Sequence, residues 1–207
     1  MKEGSICYED RDLLTLSEKE LDQIRGKEIS MIFQDPMSSL NPVFTIGYQI
    51  MEGLRIHLGL KKREAWVRAV ELLDRVGMKE PEMVMKSYPH TLSGGMRQRA
   101  IIAMALACNP KLLIADEPTT ALDVSVQAQI LNLLKSLQNE LQLTLLFIGH
   151  GLGAVHYVSD RIAVMQNGRI VELGDAREVF HHPQQEYTKM LLNSILEPKA
   201  YSEDRDS

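Results

Sequence analysis

The sequence predicts an α/β fold that combines the partial core of a parallel β-sheet with a small helical subdomain. Three observations support this prediction. After Ser93, helical patterns and short strand patterns alternate along the chain. The strand patterns are continuous apolar runs, which are typical of strands buried on both faces of a parallel sheet. Between Thr45 and Met85, in contrast, apolar residues recur only at helical spacing.

The N-terminal part of the chain predicts one helix, one strand and one loop. Ser17 and Glu20 have the spacing of a capping box, which predicts a helix from Ser17 to Ile24. The apolar run from Ile29 to Phe33 predicts a strand. It leads into a loop from Asp35 to Pro42 that is rich in Ser, Asn and Pro.

The segment from Thr45 to Met85 predicts helices that pack into a subdomain of their own. Trp66, the only tryptophan, is expected to pack inside it. The positions at helical spacing are Ile46, Ile50, Leu54 and His57 or Leu58 in the first half, and Val67, Val70 or Leu72, and Leu73 in the second.

The rest of the chain predicts alternating elements followed by a hairpin. The hairpin is indicated by an Asn-Gly pair between two apolar runs. The predicted elements are helix Gly94 to Cys108, strand Lys111 to Ala115, helix Val124 to Leu141, strand Leu143 to Ile148, and hairpin strands Ile162 to Gln166 and Arg169 to Glu172.

Composition and charge exclude several classes of protein. The chain has 207 residues, of which 44% are hydrophobic and 25% charged, as in ordinary globular proteins. A net charge of -5 gives no support for nucleic-acid binding. Cys7 and Cys108 are too few for a disulfide framework or a zinc cluster, and His181-His182 is expected to be a surface pair. The longest apolar run, Ala100 to Cys108, is too short to span a bilayer.

The run LLIADEP, which ends in Asp116 and Glu117, suggests chemistry on a phosphate ester. Ligands of parallel sheets gather at the carboxyl ends of the strands. There Asp116 can hold Mg²⁺ through water, and Glu117 can orient or deprotonate an attacking water. The alternative is a strand that merely ends in an acidic turn.

The run LSGGMRQR, which begins at Leu92, predicts an anion site at a helix N-terminus. Ser93 is a good N-cap, and Gly94 and Gly95 let a phosphate approach backbone N–H groups. The alternative is a capped helix with two tolerated glycines. Because the acidic pair follows one helix and one strand later, the alternative is disfavoured.

Gln34 and His150 are two further candidates at predicted strand ends. The carbonyl oxygen of Gln34 can bind Mg²⁺, and its amide can hydrogen-bond a water. His150 can donate a hydrogen bond to a phosphate oxygen. The alternatives are a surface glutamine and a histidine satisfied within the core.

The phosphate-binding loop that normally accompanies such motifs has no match in the chain. The only Gly-Lys pair, Gly26-Lys27, is followed by Glu28, and Leu21 stands where the first glycine belongs. Losing about three charge-assisted hydrogen bonds costs on the order of 5 kcal/mol, which turns micromolar affinity for a phosphate ester into millimolar affinity. The strand that contains Ile114 is also expected to be short of a neighbour.

From about Gly4 to about Leu192, the chain resembles the ATP-binding subunits of ABC importers of the oligopeptide, dipeptide and nickel class. SGGMRQR together with ADEPTTALD is highly specific for the ABC superfamily, and SLNP and YPH narrow the resemblance to the peptide-type group. The resemblance implies an ABC-type ATPase domain with a P-loop NTPase fold that lacks its Walker A part. It implies ATP and Mg²⁺ as ligands.

The resemblance also implies a role for each motif residue. Ser93, Gly94, Gly95 and Gln98 would belong to the nucleotide contacts of the signature segment, with Ser93 and Gly95 touching the γ-phosphate held by the opposite subunit. The remaining roles would be Gln34 as the Q-loop residue near Mg²⁺, Asp116 as the Walker B aspartate, Glu117 as the catalytic base, Asp123 in the D-loop at the dimer interface, and His150 as the switch histidine.

The resemblance further implies an organisation and a set of partners. Four segments are expected: residues 1–34 from the nucleotide-binding core, 35–92 as the helical subdomain, 93–180 as the RecA-like core, and 181–207 as a C-terminal helix and polar tail. The expected partners are a second ATPase subunit, a transmembrane permease and, indirectly, an external solute-binding protein, but no nucleic acid. The chain would then lie on the cytoplasmic face of the membrane.

Two alternatives stay open at this point. The first is a catalytically incomplete remnant or regulatory half-cassette, which binds a partner without turning over ATP. It predicts that Glu117→Gln changes no activity. The second is a chromosome-maintenance or DNA-repair ATPase. It is disfavoured because no heptad run lies between Gln34 and Ser93.

Overall fold

The structure is a computed structural model that describes residues 4–35 and 39–196. The described residues form two compact units, divided between Ile148 and Gly149. Part of the predicted loop from Asp35 to Pro42, and the predicted polar tail after residue 196, lie outside the described residues.

A parallel sheet of three strands forms the centre of the first unit. Its strands are β3 (Ile29–Ile32), β4 (Leu112–Asp116) and β5 (Thr144–Ile148), in the order β3-β4-β5. The prediction that Ile114 would be short of a neighbour is wrong, because β4 is the middle strand. Ile114 lies opposite Met31 on one side and opposite Leu146 on the other.

Of the elements before the sheet, the helix agrees with the prediction. A short antiparallel hairpin comes first and is followed by a helix. The Ser17–Glu20 capping box is present, since the backbone N–H of Ser17 donates to the Glu20 carboxylate at 2.8 Å. The bounds are β1 (Cys7–Tyr8), β2 (Arg11–Asp12), a 3₁₀ turn at Leu13–Thr15, and α1 (Glu18–Ile24).

Three helices form the predicted helical segment, namely α2 (Ile46–Leu58), α3 (Lys62–Arg75) and α4 (Pro81–Lys86). A 3₁₀ turn at Pro89–Thr91 follows. The predicted face of α2 is confirmed for Ile46, Ile50 and Leu54, which are fully buried, whereas Leu58 at the end of the helix is 40% exposed. Trp66 is partly buried against the same core, as predicted.

The predicted buried face of α3 is partly wrong. Val67 is 52% exposed, whereas Ala65 and Ala69 are fully buried together with Leu73. Alanines fill this face because α3 packs closely against its neighbours, and periodicity counted on large apolar residues overlooks such small ones.

Two longer helices, α5 (Gly94–Ala105) and α6 (Val124–Leu141), flank β4 in the sequence. The bounds of α6 are as predicted, but α5 ends before the predicted Cys108. Asn109 adopts a left-handed backbone with φ 53°, and Pro110 follows it. The helix closes early because its last turn tightens: the N–H groups of Ala107 and Asn109 donate to carbonyl oxygens three residues back, of Met104 at 3.2 Å and of Leu106 at 3.0 Å.

The second unit consists of α7 (Leu152–Val158), β6 (Arg161–Gln166), β7 (Arg169–Asp175), α8 (Ala176–His181) and α9 (Glu186–Leu196). Asn167 and Gly168 form the predicted turn, both with positive φ as a type I′ turn requires. β7 runs three residues beyond the predicted Glu172, because an irregularity at Val164/Met165 lets pairing continue to Arg161–Asp175.

Glu172 ties the start of α9 to the hairpin of the second unit. Its carboxylate accepts hydrogen bonds from the backbone N–H groups of Gln184 at 2.8 Å and Gln185 at 3.2 Å. Burial works to raise the pKa of Glu172, but these bonds and the charge of Lys189 outweigh it, so the pKa lies below its usual value. The ionised carboxylate therefore stabilises the folded unit.

Glu172→Gln is expected to weaken the protection of the Gln184 and Gln185 amides against hydrogen exchange at neutral pH, by about 1 kcal/mol. Because the folded pKa is lowered, this stabilisation is complete above the pKa of the unfolded carboxyl and is lost as the pH falls through the folded value. The wild type should therefore lose protection below about pH 4.3, while the variant changes little there. Glu178→Gln, at an exposed position of α8, is the control. Equal exchange in the wild type and Glu172→Gln would contradict the role of Glu172.

Candidate functional site

The carboxyl ends of the three parallel strands lie at one edge of the sheet. β4 ends at Asp116, which pairs in register with Ile148 at the end of β5. β3 ends at Ile32, opposite Ala115. Gln34 follows β3 and Glu117 follows β4, so the sequence candidates from these two strands emerge at the same edge.

Gln34 and Glu117 meet directly, although 83 positions separate them in the sequence. Nε2 of Gln34 donates a hydrogen bond to Oε2 of Glu117 at 2.8 Å. Gln34 is exposed and Glu117 is half-buried, so water and ligands can reach the pair. The sequence predicted both residues at strand ends, and the structure adds the bond between them.

The backbone of Glu117 is in the left-handed region, with φ 45°. For a residue with a side chain this conformation costs roughly 1–2 kcal/mol. The N–H of Glu117 donates to the carbonyl oxygen of Ile148 at 2.9 Å, which extends the ladder between β4 and β5 by one bond. The backbone turns sharply right after this bond, and Glu117 is thereby held at the edge of the sheet.

The turn after Glu117 contains two residues that the sequence interpretation missed. Oγ1 of Thr120 donates to Oε2 of Glu117 at 2.9 Å. Nε2 of Gln127 donates to the carbonyl oxygens of Thr119 at 3.0 Å and Leu122 at 3.1 Å. Two features of the sequence could have indicated these residues. Thr120 carries a hydroxyl three positions after the candidate base, and Gln127 carries an amide in the first turn of α6, from where it can reach back over the loop.

Asp123 caps the N-terminus of α6. Its Oδ1 accepts a hydrogen bond from the N–H of Val126 at 2.9 Å. This bond ends the loop that begins at Glu117 and fixes where α6 starts. The expected role of Asp123 at a dimer interface stays a prediction.

The N-terminus of α5 has the features of an anion site. Ser93 is its N-cap, and the Ser93 hydroxyl accepts a hydrogen bond from the N–H of Met96 at 3.3 Å. No acidic residue occupies the first turn, so the positive end of the helix dipole is not neutralised there. Ser93 is exposed, and Gly94 and Gly95 are partly exposed.

Gly94 and Gly95 also have a packing role within this chain. A Cβ at Gly95 would lie 2.8 Å from Cγ1 of Val126, and a Cβ at Gly94 would lie 3.4 Å from Cδ2 of Leu122. The N-terminus of α5 therefore packs tightly against the start of α6. The sequence explained these glycines only by the approach of a phosphate.

Gly95→Ala is expected to lower the free energy of unfolding by about 1 kcal/mol, because the close contact with Val126 outweighs the better helix propensity of Ala. A second change, Val126→Ala, removes the methyl groups that the new Cβ would meet. We therefore expect Gly95→Ala to cost less in the Val126→Ala background, as measured by a double-mutant cycle in urea. Equal costs in both backgrounds would show that Val126 does not constrain this glycine.

Gln98 lies one turn after Gly94 in α5. Its side chain is fully buried, and neither amide atom has a hydrogen-bond partner among the described residues. Its expected role in nucleotide binding stays a prediction.

The donor set at the sheet edge fits Mg²⁺ that arrives with a phosphate group. Asp116 and Gln34 offer a carboxylate and an amide oxygen, which are hard ligands. Within residues 4–35 and 39–196, no cluster of three or more His, Cys, Asp or Glu side chains is placed to bind a metal. Mg²⁺ is commonly held by one or two carboxylates plus substrate phosphates, which matches this sparse set.

His150 follows β5 in the sequence but belongs to the second unit. It is exposed, and its expected contact with a phosphate stays a prediction. His181 and His182 are exposed, as expected of a surface pair.

The described part of the chain has no helix that combines the length and the apolar character needed to cross a membrane.

Comparison with known sequences points to one family. The profile of the family described as ABC transporter matches residues 1–120. The oligopeptide transport ATP-binding protein OppD of Bacillus subtilis is 57% identical, over 94% of this chain and 54% of its own length. AppD of the same organism is 55% identical, over 93% of this chain and 59% of its own length. OppD of Salmonella typhimurium is 52% identical, over 97% of this chain and 59% of its own length. The chain thus spans a little more than half the length of these relatives.

Comparison with solved structures identifies the same fold. The ATP-binding cassette MJ0796, in a dimeric post-hydrolysis state bound to ADP and Pi, superimposes with a TM-score of 0.75 and 30% identity, covering 84% of this chain and 74% of that chain. A second dimeric structure of MJ0796, a bacterial ABC transporter cassette, superimposes with a TM-score of 0.74 and 29% identity. It covers the same 84% of this chain and 74% of that chain. The three-stranded parallel sheet and its helices are therefore part of an ATP-binding-cassette fold, as the sequence predicted.

Proposed function

Because the chain belongs to the ABC transporter family, we propose that it is the ATP-hydrolysing subunit of an importer that carries peptides across the cytoplasmic membrane. The observation that supports this most is the hydrogen bond between Gln34 and Glu117, which joins two strand ends into one site. The names of the relatives, which are oligopeptide transport ATP-binding proteins, support the choice of peptides as solute.

Glu117 is the general base in this proposal. Its carboxylate accepts a proton from water while the water oxygen forms a bond to the γ-phosphorus of ATP. The bond between that phosphorus and the bridging oxygen breaks, and ADP and phosphate leave. Asp116, through water, and Gln34, through its carbonyl oxygen, would hold Mg²⁺, which would neutralise charge on the phosphate oxygens.

The N-terminus of α5 binds the γ-phosphate of an ATP that a second ATPase subunit holds. Ser93, Gly94 and Gly95 offer a hydroxyl and backbone N–H groups to that phosphate, and the helix dipole favours its charge. The relative MJ0796 is a dimer with ADP and Pi, which supports such a pairing. The proposal gives Asp123 a contact with the second subunit and His150 a hydrogen bond to a phosphate oxygen. A nucleotide contact of Gln98 belongs to the proposal too, and it requires that the buried amide become exposed.

The helical segment from Asp35 to His90 docks on the permease in this proposal. Phe44 and Tyr48 are stacked with ring centroids 4.6 Å apart, and both are more than 40% exposed. Beside them lies a cavity of about 650 Å³, lined by Asn41, Phe44, Gln49 and others. Exposed aromatic rings next to a concavity are suited to a partner helix.

The remaining organisation follows the sequence prediction. Residues 1–34 belong to the nucleotide-binding core, 93–180 to the RecA-like core, and 181–207 to a C-terminal helix and tail. The permease places the subunit on the cytoplasmic face of the membrane, and an external solute-binding protein delivers the peptide.

The proposal is tested by reconstituting the assembled transporter that contains this chain in lipid vesicles. We expect phosphate release from MgATP to rise when peptide and solute-binding protein are added, and peptide to accumulate inside. A rate of ATP hydrolysis that does not change when peptide is added would overturn the proposal that the transported solute is a peptide. Transport that persists when Glu117→Gln is introduced would support the alternative of a half-cassette without turnover.

A further inference from the structure

We propose that Thr120 is a positioning residue for ATP hydrolysis: its hydroxyl holds the carboxylate of Glu117 in the orientation in which Glu117 acts as base. This inference rests on the proposed function. It adds a residue that the sequence motifs did not single out.

The inference starts from the two donors that reach one oxygen of Glu117. Oγ1 of Thr120 lies 2.9 Å from Oε2, and Nε2 of Gln34 lies 2.8 Å from the same atom. The donors come from different parts of the chain, one from the turn after β4 and the other from the end of β3. Two bonds from different directions restrict rotation of the carboxylate much more than one does.

A general base depends on such restriction. It has to lie within about 2.6–3.2 Å of the proton that it abstracts, or act through one water. A misplacement of about 1 Å can cost on the order of 100-fold in rate. Glu117 has a flexible side chain of two methylene groups, so its orientation has to come from bonds to its carboxylate.

The position of Thr120 is itself fixed by the turn. Its backbone N–H donates to the carbonyl oxygen of Glu117 at 3.3 Å, which closes a four-residue turn. Gln127 binds the carbonyl oxygens of Thr119 and Leu122 on either side of Thr120. The hydroxyl is therefore presented to Glu117 by a loop with its own hydrogen bonds.

Thr120 and Gln34 both donate to Glu117, but they differ in what else they do in the proposed function. The hydrogen bond from Thr120 therefore does not simply duplicate the bond from Gln34. In the proposed function Gln34 also binds Mg²⁺ through its amide oxygen, and it lies next to the segment proposed to meet the permease. Thr120 belongs to the same turn as Glu117. Its bond can therefore persist when Gln34 changes partners during the transport cycle.

The side chain of Thr120 has little packing role, since the residue is exposed. Exchanging its hydroxyl for a methyl group in Thr120→Val removes the donor and leaves the shape almost unchanged. Thr120→Ser keeps the hydroxyl and removes only the methyl group. Thr144→Val, at another exposed threonine of the same unit, is the matched control.

The test measures steady-state MgATP hydrolysis by the assembled transporter with each variant. We expect Thr120→Val to lower kcat about tenfold, as the loss of one hydrogen bond to a charged group implies, while KM stays within about twofold. Thr120→Ser and Thr144→Val should keep kcat within about twofold of the wild type.

Three outcomes would overturn the inference while leaving the proposed function intact: wild-type kcat in Thr120→Val, equal losses in Thr120→Val and Thr120→Ser, or a change confined to KM. If the wild-type assembly hydrolyses no MgATP, the proposed function fails, and this inference fails with it.

Discussion

Replacing Glu117 with Gln is expected to lower the rate of MgATP hydrolysis by the assembled transporter roughly 10²–10⁴-fold, because an amide cannot accept the proton of the attacking water. Gln has almost the size of Glu and keeps an oxygen that can accept the hydrogen bonds from Gln34 and Thr120. The fold and the binding of MgATP should therefore be retained. Single-turnover phosphate release, with KM measured in parallel, separates the chemical step from binding.

The control for this prediction is Glu18→Gln, which makes the same chemical change on α1. Glu18 is 79% exposed in its side chain and pairs with Arg25 at 2.8 Å. Such a surface pair contributes little to stability. If Glu117→Gln keeps its rate within a few fold of the wild type and of this control, another group takes the proton.

Gly47→Ala is expected to lower the free energy of unfolding by about 1–3 kcal/mol, because the new methyl group has no space. Its Cβ would lie 2.6 Å from the backbone oxygen of Met85 and 2.7 Å from Cε of the same residue. A flexible methionine end can move aside, but a backbone carbonyl can move only with α4. The contact between α2 and α4 must therefore open.

The matched control is Gly53→Ala, in the same helix. A Cβ at Gly53 would meet no atom within 4 Å. Alanine has a better helix propensity than glycine, so this variant should gain about 0.5–1 kcal/mol. Urea unfolding of both variants measures the difference. A destabilised Gly53→Ala, or a Gly47→Ala as stable as the wild type, would contradict the packing described here.

The order of the elements could be predicted from the sequence because local signals agree with one another. The helical pattern from Val124 to Leu141 predicted the bounds of α6, and the Ser17–Glu20 spacing predicted the start of α1. The predictions were wrong where features other than the spacing of large apolar residues determine the end of a helix or its buried face. Tight turn bonds after Ala105 end α5 early, and alanines rather than Val67 cover the buried face of α3.

The candidate site was predictable in its residues but not in its bonds. The motifs placed Gln34 and Glu117 at strand ends, yet only the pairing of β3 with β4 shows that they meet. The same pairing gave Ile114 neighbours on both sides, which the order of strands along the chain could not indicate. Thr120 was missed because a hydroxyl in a loop has no periodic signal, and its partner is identified only by the shape of the turn.

The central claim is that the edge formed by Asp116, Glu117 and Gln34 belongs to a site for MgATP. Equilibrium titration of the assembled transporter carrying Glu117→Gln, in which turnover is blocked, tests this claim most directly. We expect saturable MgATP binding in the millimolar range, because the phosphate-binding loop has no match in this chain. The affinity should weaken about tenfold or more when Asp116→Asn and Gln34→Ala are added, since two oxygen ligands of Mg²⁺ are then lost. Unchanged affinity after both substitutions would show that the nucleotide is held elsewhere and would contradict the account.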